Sequence, residues 1–229
     1  MVSADQATPE YEAAQLTWWR YIPAIIGMPV EVESPPLQRR PVATWVLAGS
    51  IACVSGVAFS ALRPAVGVFG LIPAQALRHG GLTLVTSFFL HGGLLHLFGN
   101  LYFLLVFGDN VEDVLGLRRY LLLLVGATIG GDLLHILFSP GSSTPIIGAS
   151  GGISGLIVFY GLQFPMARLG LFVRFVWVKI RAKWALGFWF VWQYIGMAAQ
   201  AAGGPNIAYL AHIGGAVVGF TFWLASRKD

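Results

Sequence analysis

Long apolar runs separated by short polar segments dominate this chain from residue 42 onward. A helix that crosses a bilayer needs about 20 mostly apolar residues, and six runs reach that length. They lie at Val42–Leu62, Leu82–Phe107, Tyr120–Phe138, Ile146–Met166, Trp184–Ala202 and Ile207–Ala225. The runs are too long for membrane strands and lack the alternation of a membrane barrel. The pattern therefore predicts an all-α membrane protein, a bundle of six transmembrane helices.

The first 41 residues have a different character. Four prolines, at positions 23, 29, 35 and 36, interrupt any long helix there. The segment Trp18–Tyr21 combines aromatic rings with a basic residue, which is typical of an anchor at the membrane interface. We expect a cytoplasmic or interfacial N-terminal arm over residues 1–41, followed by a six-span domain over residues 42–229.

The composition supports lipid as the solvent. Hydrophobic residues make up 56% of the chain and charged residues 10%, and the mean hydropathy is +0.72. A soluble domain carries about 25% charged residues. The single cysteine, Cys53, lies in an apolar run and indicates neither a disulfide framework nor a zinc site. We expect no metal, no cofactor and no nucleic-acid partner.

Basic residues are concentrated on one side of the predicted bundle. That side receives Arg39, Arg40, Arg118, Arg119, Arg168, Arg174, Lys179, Arg181, Lys183, Arg227 and Lys228, whereas the other receives Arg63 and Arg78. Because basic loops stay in the cytoplasm, both termini are expected there. The short loops favour a bacterial cytoplasmic membrane, with an organelle inner membrane as the alternative.

Several polar side chains interrupt the predicted spans. Such groups are costly in lipid and often mark function. His91, His96 and Asn100 lie in the second span, and the last two share a helical face because they are four residues apart. Ser150 opens the fourth span and His212 opens the sixth. The orientation places Ser150 and His212 at similar depth near the outer surface, with His96 and Asn100 somewhat deeper.

These residue types are those that acyl transfer requires. A serine hydroxyl becomes a strong nucleophile when a neighbouring imidazole takes its proton. The resulting oxyanion needs fixed donors, which His96, Asn100 and the backbone N–H of Ser150 could supply. Small residues four apart let two membrane helices approach closely. The fourth and sixth spans each carry such a pair, Gly151 with Gly155 and Gly215 with Gly219.

Three segments resemble motifs of the rhomboid family. Gly148–Gly151 looks like its nucleophile motif G-x-S-G, and Ala211–Gly219 resembles A-H-x-x-G-x-x-x-G. His91–Asn100 is similar to H-x-x-x-x-H-x-x-x-N. The motifs lie on the corresponding spans in the corresponding order. Together they are far more specific than G-x-S-G alone.

The resemblance implies an intramembrane serine endopeptidase with a Ser–His dyad and no third carboxylate. Ser150 is then the nucleophile, His212 the general base, and His96 and Asn100 help to hold the oxyanion. The substrates implied are transmembrane proteins, cut at or just inside the outer face. The resemblance also implies a lateral gate between spans two and five, where the aromatic run Phe188–Trp192 lies.

Two positions depart from the family pattern. Leu82 and Thr83 stand where many rhomboids have a Trp-Arg pair, and Ser154 replaces an aromatic residue that packs on the histidine. These departures keep open the alternative of a non-proteolytic rhomboid-like protein that binds membrane clients.

Asp132 and His135 in the third span suggest a proton relay in a transporter, or a buried pair inside the bundle. The sequence lacks the paired broken segments that transporters with inverted repeats show, which argues against a transporter. The presence of both dyad residues favours the protease over the client-binding protein.

Overall fold

The chain folds mainly into helices. A computed structural model describes residues 12–13, 28–173, 176–204 and 207–227; the predicted anchor Trp18–Tyr21 lies outside them. In chain order the helices are α1 (Val42–Ala58), α2 (Leu62–Phe69), α3 (Thr83–Thr86), α4 (Leu94–Phe138), α5 (Ser150–Gln163), α6 (Ala182–Ala201) and α7 (Tyr209–Ser226). The predicted all-α membrane bundle is confirmed.

Three continuous helical stretches are long and apolar enough to cross a bilayer. They run over Val42–Phe69, Leu94–Phe138 and Tyr209–Ser226. The second has 45 residues and bends at Gly116, where φ is 70° and ψ is 167°. This positive φ favours glycine because it has no Cβ. The bend divides α4 into two parts of about 20 residues each, the length of a membrane span, and these correspond to the predicted second and third spans.

The helix of the second span begins about half a span later in the chain than predicted. The helix α4 begins at Leu94 rather than Leu82, and α3 and a 3₁₀ turn at Ser87–Phe89 precede it. Gly92 and Gly93 separate the two regions, because glycine is a poor helix former. Hydropathy alone could not separate these apolar turns from the helix. His91 consequently lies before α4 and not within it.

The fourth predicted span becomes the central helix of the bundle. Only 14 residues long, α5 buries 11 of them, Gly151 to Gly161. It packs against α4 and α7 over most of its length. Because neighbouring helices cover its surface, α5 does not need the length that a lipid-exposed helix requires.

A small antiparallel sheet lies at the end of α5 that is remote from Ser150, and the sequence pattern did not predict it. Its strands are β1 (Glu12–Ala13), β2 (Val30–Ser34), β3 (Arg168–Val173) and β4 (Val176–Arg181), in the order β1-β2-β3-β4. Glu31 of β2 is buried and accepts hydrogen bonds from Asn110 Nδ2, at 3.1 Å, and from the hydroxyl of Tyr160. These bonds attach part of the N-terminal arm to α4 and α5.

The carboxylate of Glu112 holds the beginning of α1 against α4. It accepts hydrogen bonds from the backbone N–H groups of Ala43 and Thr44, at 2.9 and 2.7 Å, and from the Thr44 hydroxyl at 2.8 Å. The first N–H groups of a helix have no partner within the helix and carry positive partial charge. The buried carboxylate therefore satisfies both the hydrogen bonds and the charge at this helix end.

Candidate active site

Ser150 and His212 form a hydrogen-bonded pair. Ser150 is the first residue of α5, and His212 lies in the first turn of α7. The Oγ of Ser150 and the Nε2 of His212 are 2.8 Å apart. This separation allows the imidazole to accept the serine proton directly. Two residues 62 positions apart in the chain thus meet at the same end of neighbouring helices.

Glycine-to-glycine packing sets the distance between α5 and α7. A Cβ on Gly215 would overlap the carbonyl oxygen of Gly151, and a Cβ on Gly219 would overlap that of Gly155. The two helix backbones therefore touch along the faces that carry these four glycines. Contact at this distance brings the first turn of α7 onto the first turn of α5, where the two polar side chains meet.

A third side chain, which the sequence analysis missed, completes the hydrogen bonding of His212. The Oε1 of Gln193 lies 2.8 Å from His212 Nδ1, and Gln193 is 5% exposed. An amide oxygen can only accept a hydrogen bond, so Nδ1 carries the proton and Nε2 presents its lone pair to Ser150. A glutamine within an apolar span was the signal available in the sequence, because polar groups there are costly.

His96 lies against the loop that leads into α5. A Cβ on Gly148 would be 2.8 Å from His96 Nε2, and Gly148 has a φ of 116°. Both the space and the backbone conformation therefore require glycine at this position. The Nδ2 of Asn100 donates a hydrogen bond to the carbonyl oxygen of His96 at 2.9 Å. An amide nitrogen carries two protons, so this bond leaves Asn100 a second donor.

The beginning of α5 presents backbone donors beside the Ser150 side chain. Ala149 precedes the helix and makes no side-chain capping hydrogen bond. The N–H groups of the first helical turn have no intrahelical acceptor and lie at the positive end of the helix dipole. Such a helix end can stabilise negative charge that develops next to the serine.

One cavity of about 1180 Å³ connects these groups. Ser150, His212, His96, Asn100 and Gln193 all line it. The structure therefore brings the two predicted dyad residues and the two predicted oxyanion residues around a single space. The cavity wall includes residues from both α4 and α6.

The aromatic residues of α6 fall into two groups, those that face away from the bundle and those that line the cavity. Phe188 is 67% exposed and faces away from the bundle, as expected of a lipid-facing side chain. Trp189 and Trp192 line the cavity, although Trp192 is also 67% exposed. These tryptophans therefore lie between the cavity and the surface of the bundle.

Asp132 and His135 also line this cavity, but they do not form the buried pair that was one of the sequence expectations. Asp132 is 6% exposed. Within residues 28–173, 176–204 and 207–227, neither the Oδ2 of Asp132 nor the Nδ1 of His135 has a hydrogen-bond partner. Both side chains lie on the second half of α4, which packs beside the beginning of α7.

His91 is held by contacts with the residues around it. His91 is fully buried, and its Nδ1 lies 2.9 Å from Ser55 Oγ, which itself donates to the carbonyl of Phe89. Its ring is in edge contact with that of His96, at 4.9 Å between centroids. His91 therefore supports the loop before α4.

The residues at the two positions that depart from the family pattern have the following surroundings. Ser154 donates a hydrogen bond to the carbonyl oxygen of Ser150 at 2.7 Å, and so it does not contact His212 as an aromatic residue would. Leu82 is 56% exposed and Thr83 is buried at the start of α3. The imidazole of His212 is instead flanked by the ring of Tyr209, at 6.0 Å between centroids.

Comparison with known proteins identifies the family. A model of the Rhomboid domain matches residues 78–228, which is more than half of the chain and contains the cavity with its dyad. The chain belongs to the rhomboid family. With its apolar spans, it is an integral membrane protein.

Several curated rhomboid proteins are similar to this chain. Rhomboid protein 1, mitochondrial, of Saccharomyces cerevisiae is 28% identical over 64% of this chain and 42% of its own length. Rhomboid-like protein 11, chloroplastic, of Arabidopsis thaliana is 31% identical over 62% of this chain and 52% of its own. Rhomboid protease GluP of Bacillus subtilis (strain 168) is 32% identical over 60% of this chain and 24% of its own. The chain thus spans about half or less of the length of these rhomboid relatives.

Proposed function

We propose that this rhomboid protein is an intramembrane serine endopeptidase that cleaves transmembrane segments of membrane proteins. The observation that carries the proposal is the 2.8 Å hydrogen bond between Ser150 Oγ and His212 Nε2, inside an apolar helical bundle. A similar protein from Bacillus subtilis carries the name rhomboid protease. The lining of the cavity adds polar groups suited to the oxyanion of an acyl-transfer reaction.

The proposed reaction begins with proton transfer from Ser150 to His212. As Oγ attacks the scissile carbonyl carbon, its proton passes to Nε2, and the carbonyl oxygen becomes an oxyanion. Collapse of this tetrahedral intermediate breaks the C–N bond, and the imidazolium returns the proton to the leaving amine. Water then attacks the acyl-serine ester with His212 again as the base, which releases the new carboxylate and restores the serine hydroxyl.

The proposed oxyanion site lies between α4 and the start of α5. His96, the second amide proton of Asn100 and the N–H groups of the first turn of α5 are its donors. Loss of one such donor in other serine proteases costs about 10²–10³ in kcat. Asn100 is 6% exposed, and the backbone donors belong to the buried helix α5, so these groups need little reorganisation during the reaction.

The proposed path for substrates passes between the first half of α4 and α6. Trp189 and Trp192 of α6 stand between the cavity and the surface of the bundle. A peptide bond within a helix is shielded by its own hydrogen bonds, so the substrate must unwind locally. Substrates with small or helix-breaking residues near the cut are therefore preferred.

We also propose that both termini face the cytoplasm, because basic residues cluster in the loops on that side. The names of the first relatives place them in mitochondria and chloroplasts. They give no support to the expectation of a bacterial membrane, and the proposal is confined to the orientation.

The proposed activity is tested by reconstituting the protein in liposomes with a labelled single-span substrate. The parent protein is expected to produce two fragments, with the cut in the part of the span nearest Ser150. The variant Ser150→Ala should produce none. Ser60→Ala is the matched control, since Ser60 is exposed and bonds only the carbonyl of Val57 among the described residues. Failure of the folded parent to cut a panel of spans would favour the client-binding alternative.

A further inference from the structure

The helix α6 is attached to the bundle at few points. Of its 20 residues only Ala182, Leu186 and Gln193 are buried. The first two lie where α6 leaves the sheet, and a Cβ on Gly161 of α5 would be 2.9 Å from Leu186. In the remaining part of α6, Gln193 is the one buried residue. Gln193 is thus the buried side chain of this part of α6, which also brings Gly196 against the ring of Tyr209 on α7.

The polar contact of Gln193 is made to His212 itself. Its Oε1 accepts the proton of Nδ1 at 2.8 Å, on the side of the ring opposite the bond to Ser150. A neutral imidazole has two tautomers, and only the one protonated at Nδ1 can take a proton at Nε2. Two hydrogen bonds at opposite edges of a ring also fix its orientation.

Among the described residues, the other polar groups near His212 make no hydrogen bond to its Nδ1; the Oδ2 of Asp132, which lines the same cavity, has no hydrogen-bond partner at all. Ser154, the position one turn after the serine, directs its hydroxyl to the Ser150 carbonyl. Tyr209 contacts the imidazole by its ring, at an interplanar angle of 84°. Within the described residues, Gln193 is thus the hydrogen-bond partner of His212 Nδ1.

We infer that Gln193 is a positioning residue that selects the tautomer and orientation of His212. This inference rests on the proposed function and adds to the dyad a third member contributed by α6. It also explains why a glutamine is one of the three buried residues of α6. Displacement of α6, which also carries the cavity tryptophans, would move the Gln193 amide away from His212. The base is then oriented only when α6 is in its packed position.

The test compares steady-state kinetics of substrate cleavage for three variants in liposomes. Gln193→Leu removes the acceptor at similar volume and is expected to lower kcat about 10- to 100-fold, as loss of an orienting partner does, while KM stays within about twofold because substrate contacts are kept. Gln193→Glu retains an acceptor oxygen and should restore kcat to within about threefold of the parent. Tyr194→Phe removes a polar group at the next position of α6, where the side chain is 68% exposed, and should leave kcat unchanged.

A spectroscopic measurement separates positioning from a merely structural role. The ¹⁵N chemical shifts of the His212 ring, assigned by comparison with His212→Ala, should report a single Nδ1–H tautomer in Ser150→Ala. The same spectrum of Ser150→Ala with Gln193→Leu should show a mixture of tautomers. If Gln193→Leu does not fold, Gln193→Met removes the acceptor with a more adaptable side chain.

The possible outcomes are distinct. Parent cleavage that Ser150→Ala abolishes supports the proposed function. If Gln193→Leu then keeps the parent kcat and a single tautomer, the inference about Gln193 is overturned while the protease remains. If the folded parent shows no cleavage that depends on Ser150, the proposed function is overturned and the kinetic role of Gln193 with it.

Discussion

Ser150→Ala and His212→Ala are each expected to lower kcat for a transmembrane substrate by at least about three orders of magnitude. The double variant should be no slower than either single variant. The reason is that the hydroxyl and the imidazole act as a unit through one 2.8 Å hydrogen bond. Once either is lost, the other has no reaction step left to assist, so the two losses do not add.

This double-mutant cycle is measured with purified protein in liposomes, by following product formation over days where necessary. His79→Asn is the control for loss of a histidine, because His79 is exposed and lies in the turn before α3. It should retain the parent rate. Substantial cleavage by His212→Ala, or losses that multiply in the double variant, would contradict a shared Ser–His mechanism.

Gly215→Ala is expected to destabilise the bundle and to abolish most activity. The new methyl group would overlap the backbone carbonyl of Gly151, which cannot move away as a flexible side chain can. To relieve the overlap, α7 must separate from α5. Inserting a methyl group into a packed interior costs about 1–3 kcal/mol. The separation also lengthens the distance between Ser150 and His212, so activity should fall more than stability.

The effect of Gly215→Ala is measured by thermal unfolding in detergent and by the rate of substrate cleavage. Gly49→Ala is the matched control: it is a helical glycine in α1, and a Cβ there meets nothing within 4 Å. Alanine is the better helix former, so this control should be as stable as the parent or slightly more so. An unchanged unfolding temperature and rate in Gly215→Ala would show that the α5–α7 contact is not as close as described.

Much of the fold follows from the sequence because lipid restricts the choice of structure. A chain with 10% charged residues must satisfy its backbone hydrogen bonds inside helices if it spans a bilayer. The positions of Ser150 and His212 at the starts of two helices could therefore be deduced from the apolar runs. Their meeting could be expected from the glycine pairs four residues apart.

Features that depend on tertiary contacts were not predictable in the same way. The strands β2 and β3 are short and come from parts of the chain more than 130 residues apart, so no local pattern joins them. The buried contact of Glu31 with Asn110 and Tyr160 depends on that pairing. The apolar turns before α4 have the same hydropathy as a helix, and only the glycines at 92 and 93 mark the boundary.

The contact between Gln193 and His212 was not predictable from the sequence for the same reason. Gln193 occupies one position of an apolar helix, and no motif links it with His212. Its depth and rotation relative to α7 decide which atom it meets, and both are set by the packing of α6 on its neighbours. The polarity of the side chain marks Gln193 as unusual, whereas its partner is evident only from the 2.8 Å contact.

The most direct measurement of the central claim is to map, by mass spectrometry, where a fluorophosphonate probe attaches to the folded protein. Such probes phosphonylate a serine hydroxyl that an adjacent base has activated. We expect one modified residue, Ser150, and a labelling rate that falls by at least about 10³-fold in His212→Ala. Modification at another serine, or labelling of Ser150 at the parent rate without His212, would contradict it.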